Sequence, residues 1–154
     1  MTEDLYTEIF PRLWIGGTED QDIIAIPKSL PSLSRTPVFD AVVTLYAYAH
    51  PMGWHVHEQR YGFADAGLGP ETIERVHELA DWLYDRWTRG DTVLVRCQAG
   101  WNRSGLVMAL ALIRAGMSPS DAVQMLREVR SPHALSNPDF EAYVLQQSPS
   151  QEAA

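Results

Sequence analysis

Apolar positions along the chain sort into short continuous runs and longer periodic ones. Phe39-Asp40-Ala41-Val42-Val43-Thr44-Leu45 and Val93-Leu94-Val95 are near-continuous runs, the pattern of strands buried in a parallel sheet. Pro11 to Gly17 reads as a shorter strand ended by a glycine turn, and His55 to Tyr61 as a strand with polar alternation. Glu71 to Arg89 has helical spacing, with Ile73, Val76, Ala80, Leu83 and Trp87 on one stripe and Gly90-Asp91 at its end. Ser104 to Ala115 is apolar nearly all round, which predicts a central, buried helix with Gly116 as its C-cap. Ser118 and Pro119 begin the next helix, with Ala122, Met125, Leu126 and Val129 facing inward. Arg130 to Ser136 reads as a loop, and Asn137-Pro138-Asp139 caps a final short helix carrying Phe140, Tyr143 and Val144.

The connecting stretches differ in character. Thr18 to Asp22 is acidic and suits the start of a short helix. Ile26 to Pro37, with Pro27, Pro31 and Pro37 among serines, reads as a mobile loop. Tyr46 to Trp54 is an aromatic loop, and Gly62 to Pro70 is a glycine-rich loop holding one carboxylate, Asp65. Ligands of open α/β sheets bind beyond the carboxyl ends of parallel strands, which would bring the aromatic loop near a pocket. The tail from Ser148 to Ala154 is expected to fray.

A length of 154 residues predicts a single domain with its own core. The formal charge of −8 argues against a broad nucleic-acid or anionic-membrane surface, while leaving room for a local positive pocket. One cysteine allows no intrachain disulfide, so a reducing compartment is expected. The acidic start, Met1-Thr2-Glu3-Asp4-Leu5, does not read as a signal peptide, and no apolar run is long enough for a membrane helix.

Candidate chemistry concentrates in Val93-Leu94-Val95-Arg96-Cys97-Gln98-Ala99-Gly100-Trp101-Asn102-Arg103-Ser104-Gly105, a strand, a tight loop and a helix start. A cysteine followed by five residues and then Arg-Ser, in this setting, suits a protein that holds phosphate and attacks it with a thiolate. Backbone N–H groups of Gln98, Ala99, Gly100, Trp101 and Asn102 can form a nest for a tetrahedral dianion. The helix start adds partial positive charge, and Arg103 offers a planar fork for two phosphate oxygens. The same field favours Cys97 as the thiolate, its nucleophilic form. Ser104 is positioned to donate to that sulfur when it leaves. His55 and His57 share a strand face, but no third ligand matches them, so solvated strand histidines are the expectation. His77 and His133 do not stand out.

These residues resemble the cysteine-dependent dual-specificity phosphatases of the protein-tyrosine-phosphatase superfamily. The resemblance covers most of the chain: Pro11 to Gly17, Phe39 to Leu45, the loop from Cys97 to Ser104, Gly116-Met117-Ser118, and Arg130 onward with Asn137. It implies an α/β fold, with a mixed, largely parallel central sheet of about four to five strands and helices on both faces. It also implies a phosphocysteine mechanism on phosphotyrosine, extending to phosphoserine and phosphothreonine, in a cytoplasmic enzyme acting on phosphorylated proteins or peptides. Cys97 would be nucleophile, Arg103 the phosphate clamp, Ser104 the aid to thiolate departure, and Asp65 the general acid, at the separation from the cysteine that the family shows. The chemistry agrees, because one loop carboxyl over the pocket can protonate the leaving group and then activate water. Glu58 and Glu71 are weaker candidates. No metal or organic cofactor is required.

Two positions depart from the family. Arg96 stands where a histidine usually precedes the cysteine; loss of that histidine is expected to weaken the nucleophile or loosen the loop, which an inward-pointing charge would offset, and a phosphate-binding pseudophosphatase is the alternative reading. Trp101-Asn102 gives a Gly-aromatic-Asn-Arg-Ser-Gly run similar to the RNA 5′-triphosphatase branch, whose RNA partner fits an acidic chain poorly.

Overall fold

Four short, strongly apolar or register-matched strands run parallel, and a fifth folds back along one edge. In this computed structural model, residues 4–18 and 38–148 are described. The segment expected to begin a short helix after Thr18, the Pro- and Ser-rich stretch 26–37 and the tail beyond Ser148 lie outside them. The strands are β1 (Tyr6–Phe10), β2 (Leu13–Gly16), β3 (Ala41–Thr44), β4 (His57–Arg60) and β5 (Val93–Arg96), and the sheet order is β1-β2-β5-β3-β4. Only the β1–β2 pair is antiparallel. Its tight turn sets Arg12 at φ 71°. Every residue of β3 and of β5 is buried, as expected of strands with neighbours on both edges and cover on both faces.

The registers fix where the loops emerge. Gly16 and Thr44 both stand opposite Arg96, and Thr44 also stands opposite Arg60. Four parallel strands therefore end level on one edge. The 46–54 segment, the Asp65 loop and the Cys97 loop all rise from it.

The helices are α1 (Pro70–Thr88), α2 (Arg103–Arg114), α3 (Pro119–Val129) and α4 (Pro138–Leu145). Residues 104–113 of α2 are all buried, so it is the central helix that its sequence predicts. Burying side chains such as Leu106, Met108 and Leu112 contributes about 1.5–3 kcal/mol each, enough to hold the start of α2 rigidly. Gly116, at φ 111°, lets the chain leave α2 in the left-handed region. Ser118 caps α3 by accepting from the Asp121 N–H at 3.2 Å.

Two clusters line the sheet. Ala41, Val43, Val93 and Val95 pack with Val76, Leu79, Leu83, Leu106 and Phe140 from the helices. On the opposite face, Val42 and Leu94 pack with Phe39, Tyr6, Trp14, Met52 and Val56. The sequence implied helices on both faces; among the described residues the four helices contribute to the first cluster, and aromatic and aliphatic side chains from strands and loops build the second. Leu79, not Ile73 or Trp87, joins Val76, Ala80 and Leu83 as a buried residue of α1. Val129, expected to face inward, is instead 43% exposed at the last position of α3, and Val123 is buried beside Ala122 and Leu126.

Candidate active site

Cys97 follows directly on β5 and is buried. Its N–H donates to the Gly16 carbonyl at 3.2 Å, and the Arg96 carbonyl accepts from Leu45, so the strand ladder carries the cysteine to the sheet edge. The loop then curls around the sulfur: the Gly100 N–H donates to Cys97 Sγ at 3.3 Å. This curl requires Gly100, which lies at φ 78° and touches the Gly16 backbone so closely that a Cβ would stand 2.6 Å from its carbonyl carbon. Gly17 lies against the other side of the loop, where a Cβ would meet the Gln98 oxygen at 2.7 Å. The Gln98 carbonyl also accepts from the Thr18 N–H. Ala99 and Gly100 turn their carbonyls outward to the buried guanidinium of Arg130, at 3.2 and 3.3 Å. Arg130 reaches on to the Asp4 carbonyl and Thr7 hydroxyl, bracing the loop against β1. With the carbonyls drawn outward, the loop's N–H groups can turn inward to form an anion-binding nest.

Arg103 is the first residue of α2, and no side chain caps that helix start. Its Nη1 donates to the Phe63 carbonyl at 2.9 Å, and its guanidinium lies 5.7 Å from the Tyr46 ring centre. Ser104 is fully buried and donates to the Gly16 carbonyl at 3.3 Å. Trp101 stacks against His133 with ring centres 4.7 Å apart, at the edge of the loop.

Asp65 is held by two amides, one from the Cys97 loop and one from the start of α4. Its Oδ2 accepts from Asn102 Nδ2 at 2.9 Å, and its Oδ1 from Asn137 Nδ2 at 2.7 Å. Asn102 in turn accepts the Asn137 N–H at 2.9 Å. Asn137 also caps α4 through its Oδ1. The candidate acid is therefore tied to both the Cys97 loop and α4. These residues line an open, polar cavity of about 500 Å³ together with Ser136, Pro138 and Asp139.

Arg96 does not point toward the sulfur. Successive strand side chains alternate, and its guanidinium lies on the face opposite Cys97, with Leu94 and Val42. There it meets Thr44, Glu58 and the His50 carbonyl. Glu58, a weaker candidate acid from sequence, is thereby occupied elsewhere. Burial alone would raise its pKa, but hydrogen bonds from Thr44 and Met52 and the charges of Arg60 and Arg96 outweigh this and hold it below the ordinary carboxylate value. His55 and His57 are exposed, His77 pairs with Tyr143, and no group of three metal-binding side chains occurs among the described residues.

Sequence reasoning missed Arg130 and the double use of Asn137. The buried Arg130 had no local signal, since its partners are remote in sequence. Asn137 was legible only as a cap.

No protein-family model matches the chain. Among curated proteins, it is 33% identical over 81 residues to the probable protein tyrosine phosphatase type IVA A of Dictyostelium discoideum, a match covering 51% of this chain and 46% of that protein. It is 36% identical over 80 residues to protein tyrosine phosphatase type IVA 2 of Mus musculus, covering 49% and 45%. The matched stretch is thus about half of this chain and less than half of each relative. Solved structures match along nearly the whole chain. The crystal structure of DUSP15 has a TM-score of 0.75 at 22% identity, covering 96% of this chain and 91% of that one. Human DUSP28 has a TM-score of 0.74 at 22% identity, covering 93% and 92%. The sheet, the helices and the loop between β5 and α2 together give this chain the fold of the small dual-specificity phosphatases of the protein-tyrosine-phosphatase superfamily.

Proposed function

We propose that the protein is a cysteine-dependent phosphatase that hydrolyses phosphotyrosine, and with it phosphoserine and phosphothreonine, in phosphorylated proteins or peptides. The observation that carries this reading is the curl of the Cys97 loop, with the sulfur accepting from the Gly100 N–H and the loop leading into Arg103, the first residue of α2. Names of the curated relatives, both protein tyrosine phosphatases, support the substrate class.

In this reading the Cys97 thiolate attacks phosphorus as the bond to the leaving oxygen breaks. Arg103 and the loop N–H groups hold the equatorial oxygens, whose charge they offset in the transition state. Asp65 protonates the leaving oxygen. It then takes a proton from the water that attacks the phosphocysteine, and the freed phosphate departs. Ser104, which now donates to the Gly16 carbonyl, acts at this second step by turning its hydroxyl to the departing sulfur. A reducing, cytoplasmic setting suits a mechanism that depends on a free thiolate. No helix among the described residues is long and apolar enough to cross a membrane. The charge of −8 disfavours RNA as substrate.

The test is turnover of an aryl phosphate by the wild-type protein beside Cys97→Ser, in reducing buffer across about pH 5 to 8. Turnover that disappears in the variant, with phosphate binding retained, supports the reading. Binding without turnover in the wild type replaces it with a phosphate-binding pseudophosphatase.

A further inference from the structure

We propose that Glu58 and Arg96 are positioning residues: a carboxylate–guanidinium hub on the sheet face away from Cys97 that holds the 46–54 segment and the Phe63 carbonyl where they fix Arg103. The inference builds on the phosphatase reading and concerns residues to which that reading gives no role.

A charged side chain inside an apolar sheet face calls for an explanation. Arg96 has 7% and Glu58 12% of the side chain exposed, beside a cluster made of Phe39, Val42 and Leu94. An apolar residue at position 96 would seal that face without desolvating a charge. What the pair provides instead is directional contact. Glu58 Oε2 accepts from Thr44 Oγ1 at 2.5 Å, Arg60 Nη1 at 3.0 Å and Arg96 Nη2 at 3.4 Å. Arg96 Nε donates to Thr44 Oγ1 at 3.0 Å. Three adjacent strand ends are thereby bound together.

The same groups satisfy the backbone of a segment that has little ladder of its own. Arg96 Nη2 donates to the His50 carbonyl at 2.5 Å, and Arg60 Nη2 to the Ala49 carbonyl at 2.7 Å. The Met52 N–H donates to Glu58 Oε1 at 3.1 Å. Side chains of β4 and β5 thus hold the course of residues 46–54, which carry no strand or helix.

That course matters because Arg103 is held from the two loops that leave the hub strands. Tyr46, two residues beyond Thr44, sets its ring 5.7 Å from the guanidinium. Phe63, three residues beyond Arg60, accepts from Nη1 at 2.9 Å. A planar fork binds phosphate bidentately only when its plane is set in advance. The hub sets that plane from behind the sheet, without touching substrate.

The experiment compares wild type with Glu58→Gln, Arg60→Gln and Tyr46→Leu. It reads kcat and KM for an aryl phosphate, Kd for tungstate by calorimetry, and Tm. Glu58→Gln keeps the shape but leaves two guanidiniums without their carboxylate. The expected result is a rise of about tenfold in both KM and tungstate Kd, with kcat changed less than about threefold. Tyr46→Leu reproduces the shift with Tm unchanged, and combining it with Glu58→Gln adds less than the product of the two. A Glu58→Gln protein that loses Tm but keeps KM and Kd overturns the proposal, as does a loss confined to kcat. Should Glu58→Gln fail to fold, Arg60→Gln decides, because that side chain is 34% exposed; an unchanged Kd there overturns the hub. Wild type that neither binds tungstate nor turns over substrate overturns the phosphatase reading, and this inference with it.

Discussion

Replacing Gly100 by alanine tests the loop geometry where it is most constrained. Gly100 sits at φ 78°, a region that an L-residue enters at a cost of about 1–2 kcal/mol. A Cβ there would stand 2.6 Å from the Gly16 carbonyl carbon and 2.7 Å from both its oxygen and Arg130 Nη2. The guanidinium end can move. The Gly16 backbone cannot move cheaply, because its carbonyl accepts from the Cys97 N–H and the Ser104 hydroxyl. Overpacking against fixed backbone adds about 1–3 kcal/mol. The total, about 2–5 kcal/mol, corresponds to a fall in Tm of about 5–20 °C for a chain of this size. Relief by rotating the loop would withdraw the Gly100 N–H from Cys97 and from any bound phosphate. Thermal unfolding followed by circular dichroism, with tungstate calorimetry on the same preparation, reads both effects. A Gly100→Ala protein with unchanged Tm and unchanged tungstate affinity would refute the reasoning.

Asp65→Asn should slow esters with poor leaving groups far more than activated aryl esters, and equal slowing of both would remove Asp65 as the acid. Arg130→Met should cost about 3 kcal/mol and weaken phosphate binding, since four acceptors lose their donor; unfolding and calorimetry check it. Glu58 has its folded pKa held below 4.5, so its contribution to stability is present above that value and lost as pH falls through the lower, folded value. Denaturant titrations across that window should therefore show a shallower pH slope in Glu58→Gln, and an identical slope would contradict the pairing.

The core strands and α2 were legible because their burial is complete, and complete burial leaves an unbroken apolar run. β1 was not read as a strand. Only Ile9 of its five residues is buried, so an outer antiparallel strand leaves neither a run nor a clean alternation. Cys97, Arg103 and Asp65 were legible as types at spacings. Their supports were not, since those depend on partners that only the fold brings near. Asn102 looked like part of the phosphate loop, yet its side chain spans to Asp65. Arg96 looked like a defect beside the nucleophile, and the parallel register places it opposite Thr44 and within reach of Glu58 instead.

Arg130 ties the order of assembly to function. Its guanidinium joins the carbonyls of residues 99 and 100 to Asp4 and Thr7, bonds that span up to 126 positions of sequence. Contacts of such separation form late, after the entropy of closing a long loop has been overcome. During synthesis, residues 97–103 emerge before the residue that braces them, so the Cys97 loop stays unbraced until the α3 segment has docked beside β1. Phosphate binding by that loop would then report completion of the fold, and a chain truncated before Arg130 would carry Cys97, Arg103, Ser104 and Asp65 without the brace that holds the loop.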